Sequence, residues 1–82
     1  MNKEKIISEL QLIVRDIIFD EEIVLLNETT AQDIVGWDSV AHVLIISVIE
    51  TEFNIQFNLK EVQELEKVGD TVDLIYSKLS LK

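Results

Sequence analysis

The chain of 82 residues has no cysteine, no proline and only two glycines. Without cysteine, disulfides and thiolate metal sites are excluded, and a single histidine argues against a zinc site. The scarcity of proline and glycine favours helices over turn-rich structure. Hydrophobic residues make up 48% of the chain, which is enough for one modest core. We therefore expect one domain over residues 1–82.

Basic residues are also scarce, since seven Lys and Arg face sixteen Asp and Glu, for a net charge of −9. No basic residue lies between Arg15 and Lys60, although nine acidic residues do. Such a surface repels nucleic acid and anionic membranes, and it attracts basic protein partners. The acids could equally serve only to keep a small protein soluble.

Long apolar runs are missing, because no stretch approaches the roughly 20 residues that cross a bilayer. The first ten residues, MNKEKIISEL, carry charges where a signal peptide needs its apolar region. We therefore expect a cytoplasmic protein, and a monomer because its high charge opposes self-association.

Apolar residues recur at helical spacing, which predicts an all-α fold. The first helix is expected from about Lys3 to Phe19 and the second from Ser39 to about Phe53. Between them, residues 23–26 (IVLL) are expected to lie as a loop over the core. A short helix follows to about residue 65, and a last helix comes after it. The fold class is thus a small four-helix bundle with three main helices and one short helix.

Capping residues mark where the last two helices begin. Asn58 followed by Glu61 indicates a capping pair for the short helix. Gly69 is expected to break the chain, and Asp70 to cap the last helix. The buried stripe predicted for that helix consists of Val72, Ile75, Tyr76 and Leu79.

The second helix is apolar on most sides. At helical spacing, one face consists of Val40, Val43, Ile46, Ile49 and Phe53. Leu44, Ile45 and Val48 fall partly elsewhere, and the first charge after Asp38 is Glu50. Because so small a domain has little material to cover such a helix, we expect a second apolar face that meets a partner.

Ser39 begins this helix, in the stretch GWDSVAH. A catalytic triad of Ser39, His42 and Asp38 is not expected, because adjacent helical residues do not face each other and no G-x-S-x-G turn is present. His42 is instead expected at the surface or rim of the helix. Ser39 could be a plain N-cap, or an attachment point for a phosphate ester, since a helix N-terminus stabilises anions.

The stretch GWDSVAHVLIISVIETEF, followed by VGDTVDLIYSKL near the end of the chain, closely resembles acyl carrier proteins. In that family, a serine within Asp-Ser-Leu or a near variant receives 4′-phosphopantetheine from coenzyme A. Here the triplet is Asp38-Ser39-Val40. The resemblance implies covalent 4′-phosphopantetheine on Ser39, with Asp38 assisting its attachment, and a carrier that is not an enzyme.

The resemblance also implies partners. These are a Mg²⁺-dependent phosphopantetheinyl transferase and acyl ligases, synthases or transferases with basic docking surfaces, which would meet Val40, Leu44, Glu50 and Asp33. The carrier would deliver acyl thioesters to fatty acid, polyketide or related biosynthesis. The middle of the second helix holds Leu44-Ile45-Ile46, where carriers of fatty acid synthesis usually have acids, so a dedicated pathway is at least as good an interpretation.

Two alternatives stay open at this point. An aminoacyl or peptidyl carrier would bear the same prosthetic arm, so the sequence does not distinguish it from an acyl carrier. An unmodified acidic helical binding module needs only the net charge and the apolar second helix. A calcium sensor is a weaker reading, because no D-x-[DN]-x-[DN]-G loop occurs.

Overall fold

A computed structural model of the protein describes residues 1–81. Its helices, in chain order, are α1 (Lys3–Ile18), α2 (Ser39–Phe53), α3 (Leu59–Gln63) and α4 (Val68–Ser80). A 3₁₀ turn, Ala31–Asp33, lies within the long α1–α2 loop. Across the described range, the only β pairing is an isolated bridge between Thr30 and Lys67. The prediction of a bundle with three main helices and one short helix is confirmed.

Local signals account for the ends of the first two helices. The side chain of Asn2 accepts a hydrogen bond from the Lys5 N–H at 2.8 Å, which starts α1. The helix stops one residue before the predicted end, because Phe19 adopts a left-handed conformation with φ 61°. Asn54, with φ 53°, ends α2 in the same way, at the predicted residue.

The short helix α3 begins as predicted, since Asn58 and Glu61 exchange hydrogen bonds of 2.8 and 2.9 Å. The Glu61 carboxylate accepts the Asn58 N–H, and this bond contributes most to a lowered pKa of Glu61. The helix ends at Gln63, two residues short of the expected end at Leu65.

The predicted start of α4 was wrong. The helix begins at Val68, with Lys67 as its N-cap, and Asp70 lies inside the first turn. The Asp70 carboxylate accepts from the N–H groups of Lys67 and Glu66 at 3.0 and 3.2 Å, and these bonds lower its pKa. Gly69 does not break the chain. A Cβ there would lie 2.9 Å from the Asn27 carbonyl oxygen, so a glycine is needed for close packing against the loop.

The core forms where α1 packs against both α2 and α4. Its most deeply buried side chains are Ile6, Leu10, Val14, Ile45, Ile49, Val72 and Ile75. In α4, Val72 and Ile75 lie in the predicted stripe, and Leu79 is partly buried against the core. Tyr76 was wrongly placed in that stripe, because its ring is 40% exposed and lies 5.2 Å from Lys3 Nζ.

The face that helical spacing marks on α2 is only partly the face that the helix buries. The side chains that α2 buries are Ala41, Ile45, Ile49 and Phe53, at intervals of four. Val40 and Val43 are 70% and 66% exposed. An almost uniformly apolar helix has no polar face to turn outward, so its own pattern does not select which side is buried.

The loop between α1 and α2 lies over the core, as predicted for residues 23–26. Ile23 and Leu25 are buried, while the alternate residues Val24 and Leu26 face outward. The Arg15 Nε–H donates to the Ile23 carbonyl at 2.7 Å, and the Leu25 N–H donates to Gln11 Oε1 at 2.9 Å. The loop therefore leaves α1 in a defined direction and crosses to the start of α2.

Candidate functional site

Ser39 is the first residue of α2, and its side chain is exposed. The N-cap of the helix is Asp38 and not Ser39, since the Asp38 Oδ1 accepts from the Ala41 N–H at 2.8 Å. The Asp38 carbonyl also accepts the first backbone bond of the helix, from His42 at 2.9 Å. Within residues 1–81, no protein group hydrogen-bonds the Ser39 hydroxyl. The hydroxyl is therefore available at the end of the bundle.

The loop that delivers Ser39 depends on a tight turn at Gly36. Its φ of 95° lies in the region that glycine favours, and a Cβ there would lie 2.9 Å from Ile18 Cγ2. The next residue, Trp37, donates its N–H to the Ile34 carbonyl at 3.3 Å. The turn therefore packs close against the end of α1 and directs the chain into α2.

His42 lies three residues after Ser39, half-buried at the rim of α2 as expected. Its Nδ1 accepts a hydrogen bond from Trp37 Nε1–H at 3.2 Å, and burial lowers its pKa. The carboxylate of Asp38 is occupied in capping the helix. A Ser-His-Asp triad therefore does not form, because its base and acid are both held by other partners. Sequence reasoning missed Trp37 as the partner of His42.

The start of α2 has the features that an esterified phosphate requires. The first turn of a helix leaves N–H groups without helical acceptors, here those of Ser39 and Val40, and it carries the positive end of the helix dipole. The Ser39 side chain is exposed, so a long substituent can leave the surface without displacing the core. The residues present therefore fit a phosphodiester on Ser39.

An exposed apolar face continues from Ser39 along α2. Val40, Val43 and Leu44 are 70%, 66% and 51% exposed. No Asp, Glu, Lys or Arg occurs in α2 before Glu50. We call these three residues the α2 apolar face. Two of them, Val40 and Leu44, are predicted partner contacts, and both lie within five residues of Ser39 on α2.

The predicted acidic contacts are farther apart. Asp33 is exposed in the 3₁₀ turn, where its carboxylate accepts from the Thr30 N–H at 2.9 Å. Glu50 is half-buried, and its Oε2 accepts from the Phe57 N–H at 2.8 Å, which ties the α2–α3 connector to the helix. Glu50 lies roughly 16 Å along the helix axis from Ser39. The structure therefore does not bring Glu50 close to Ser39, and its role as a partner contact stays a prediction.

A membrane-spanning helix is not found in the described part of the chain, where every helix is too short or too polar to cross a bilayer. Across the same residues, no three or more His, Asp or Glu side chains are grouped as a metal site.

Comparison with known proteins decides the family. No family model matches the chain. The acyl carrier protein of Coprothermobacter proteolyticus is 32% identical to it over 82 residues, which is the full length of both proteins. The chain belongs to the acyl carrier protein family. The solution NMR structure of holo acyl carrier protein from Geobacter metallireducens has the same fold as this carrier, with a TM-score of 0.86 and 41% identity. That match covers 92% of this chain and 86% of the other.

Family membership confirms three predictions made from the sequence. The resemblance to acyl carrier proteins is correct, and the protein is a carrier that is not an enzyme. Its prosthetic group is covalently attached 4′-phosphopantetheine. Members of the family generally interact with phosphopantetheinyl transferases and synthases.

Proposed function

We propose that this protein is an acyl carrier whose residues 1–82 form a single carrier domain, with 4′-phosphopantetheine attached to Ser39. The observation that carries the proposal is the exposed Ser39 hydroxyl at the first position of α2, beside a cap that Asp38 already provides. The triplet Asp38-Ser39-Val40 supports the same residue through its resemblance to the family's attachment motif.

The prosthetic arm supplies a thiol that holds an acyl group as a thioester, a function that no side chain of this cysteine-free protein can provide. The protein's own contribution is to anchor and present the arm. The N-terminus of α2 stabilises the negative phosphodiester at Ser39. A flexible tether also raises the effective concentration of cargo at a docked enzyme, to the order of millimolar for short links.

Asp38 assists the modification through its capping bond. By accepting the Ala41 N–H at 2.8 Å, its carboxylate fixes the first turn of α2 and leaves the Ser39 hydroxyl exposed to a modifying enzyme. A serine that capped the helix itself would point its oxygen at the backbone instead. The adjacent aspartate therefore allows the serine to be the substrate.

Partner enzymes dock on the α2 apolar face and are steered by the surrounding acids. Val40 and Leu44 supply contact beside Ser39, while Asp33 and the net charge of −9 attract basic surfaces. Glu50 extends the contact toward the far end of the helix. Since the exposed side of α2 carries no charged residue before Glu50, delivery to a dedicated polyketide or related pathway in the cytoplasm is at least as well supported as general fatty acid synthesis.

The attachment site is tested by intact-mass measurement. The protein is co-expressed with a broad-specificity phosphopantetheinyl transferase and should gain one phosphopantetheine mass. Ser39→Ala should remain unmodified. The matched control is Ser47→Ala, because Ser47 is another exposed serine of α2 and its loss should leave the mass gain intact. A gain that persists in Ser39→Ala, or no gain in the unaltered protein, would reject the proposal.

The cargo is tested on the modified protein with a panel of acyl and aminoacyl ligases. Loading by acyl ligases alone is expected. Loading only by aminoacyl ligases would make the protein an aminoacyl or peptidyl carrier, with the same attachment residue. An unmodified binding module would show no mass gain and no loading by either class.

A further inference from the structure

The single tryptophan and the single histidine of this chain contact each other across Ser39. Trp37 lies two residues before Ser39 and His42 three residues after it. The Trp37 Nε1–H donates to His42 Nδ1 at 3.2 Å, and the ring centroids are 6.2 Å apart with planes tilted by 31°. The bond therefore joins the loop before the serine to the first turns of the helix after it.

Both rings are half-buried, and the Trp37 indole packs against the hydrophobic core. Together with Thr29 and residues 65–68 the rings line a cavity of about 40 Å³. The pair thus lies where the α1–α2 loop, α2 and the α3–α4 connection meet.

The other end of the same loop is held by α4. The Val68 N–H donates to the Thr29 carbonyl at 2.8 Å, and the Gly69 N–H donates to the Asn27 carbonyl at 2.8 Å. Residues 30–37 therefore span two fixed points, one at the start of α4 and one at the Trp37–His42 bond. Loss of that bond would leave the Asp38 cap and the Gly36 turn to order the chain beside Ser39.

We propose that the hydrogen bond from Trp37 to His42 holds Ser39 in the position from which it is modified, so that both are positioning residues. This inference rests on the proposed attachment at Ser39. A modifying enzyme that meets an already ordered serine does not spend binding energy on ordering the loop. Loss of the bond should therefore raise KM for the carrier and leave kcat nearly unchanged, since the bound complex is the same.

The bond exists only with a neutral imidazole, because an indole N–H can only donate and a protonated histidine has no acceptor. Burial lowers the pKa of His42, so the bond persists at neutral pH and is lost in acid. Glu66 and Lys67 line the same cavity, and Asp38 lies one helical turn before His42. The experiment therefore compares variants that keep all three of these charged residues.

The test measures steady-state modification of the unmodified carrier by a broad-specificity phosphopantetheinyl transferase, with coenzyme A and Mg²⁺. Trp37→Phe keeps an aromatic ring and removes the N–H, and His42→Leu removes the acceptor. Each should lower kcat/KM by about two- to tenfold, the range for losing one neutral hydrogen bond, through a higher KM. His42→Asn places an acceptor oxygen near the position of Nδ1 and should retain most of the activity.

The pH dependence separates positioning from a general structural effect. The ratio of kcat/KM between the unaltered protein and His42→Asn cancels the titration of the transferase. It should be constant near neutral pH and fall as His42 becomes protonated. The NMR signal of the Trp37 indole N–H should shift over the same pH range.

Three results would overturn the inference. The first is unchanged kinetics in both Trp37→Phe and His42→Leu. The second is a loss of kcat/KM in His42→Asn as large as that in His42→Leu. The third is a kcat/KM ratio that does not change with pH although the Trp37 NMR signal titrates. If Trp37→Phe or His42→Leu fails to fold, the pH dependence of the ratio still decides the matter, because it needs only the unaltered protein and His42→Asn. If the unaltered protein is not modified at Ser39, the proposed function fails, and the NMR titration still reports the bond.

Discussion

Leu44 is the residue at which contact with a partner can be measured most directly, because changing it should leave the fold intact. It is 51% exposed in the α2 apolar face, one turn beyond Val40. Full burial of a leucine is worth about 1.5–3 kcal/mol, so covering the exposed half with a partner gains roughly 0.8–1.5 kcal/mol. That gain corresponds to about four- to twelvefold in affinity. Leu44→Glu should lose at least this much, because the new charge must also be desolvated.

The assay is the KM of the modified carrier for its cognate loading enzyme, with circular dichroism and urea unfolding as checks on the fold. Leu44→Ser removes the apolar contact without adding charge, so both variants should raise KM. Leu12→Glu is the matched control, because Leu12 is 58% exposed on α1 and lies outside the α2 apolar face. All three variants should stay folded and lower the free energy of unfolding by no more than roughly 0.8–1.5 kcal/mol, which is the worth of the half of each leucine that the fold itself buries.

Three results would refute this account of docking. An unchanged KM in Leu44→Ser would show that the α2 apolar face makes no contact. A lower KM in Leu44→Glu would show that the partner presents a basic group at that point. Unfolding of Leu44→Glu would show that the residue belongs to the core. Unfolding is the expected result for Ile45→Glu, because the neighbouring Ile45 is only 1% exposed.

Two further predictions concern the stability of the site. Asp38→Ala should lower the free energy of unfolding by about 1 kcal/mol in urea titrations, because the hydrogen bond that caps the Ala41 N–H is lost. Asp38→Asn should keep most of the stability, because the asparagine oxygen can accept the same bond. An equal loss in both would show that charge matters more than capping. Because burial lowers the pKa of His42, the unfolded chain binds this proton at a higher pH than the folded one. The stability that the protein has with neutral, buried His42 is therefore complete above about pH 6.5, and it is lost as the pH falls through the folded-state pKa of His42. The difference in unfolding free energy between the unaltered protein and His42→Asn should therefore shrink in acid, and a constant difference would contradict the assignment.

Features that depend on residues three or four apart could be predicted from the sequence. The bounds of α2, the capping pair Asn58–Glu61 and the position of Ser39 at a helix start all follow from such local spacing. The family's attachment triplet is likewise contiguous, so it was recognised without knowledge of the fold. Local spacing failed at α4, where Asp70 lies in the first turn and is not the N-cap residue. The cause is nonlocal, since the Val68 N–H bonds to the Thr29 carbonyl and draws the helix start back.

The sequence by itself determined that the protein is helical and acidic and that Ser39 begins its second helix, because periodicity, charge and capping are properties of neighbouring residues. Only the tertiary structure decided which side of α2 is buried. Its residues are apolar on nearly every side, so the choice of Ile45 over Val43 comes from packing against other elements. The bond between Trp37 and His42 was decided in the same way, because it needs the turn at Gly36 to bring the indole back to the helix.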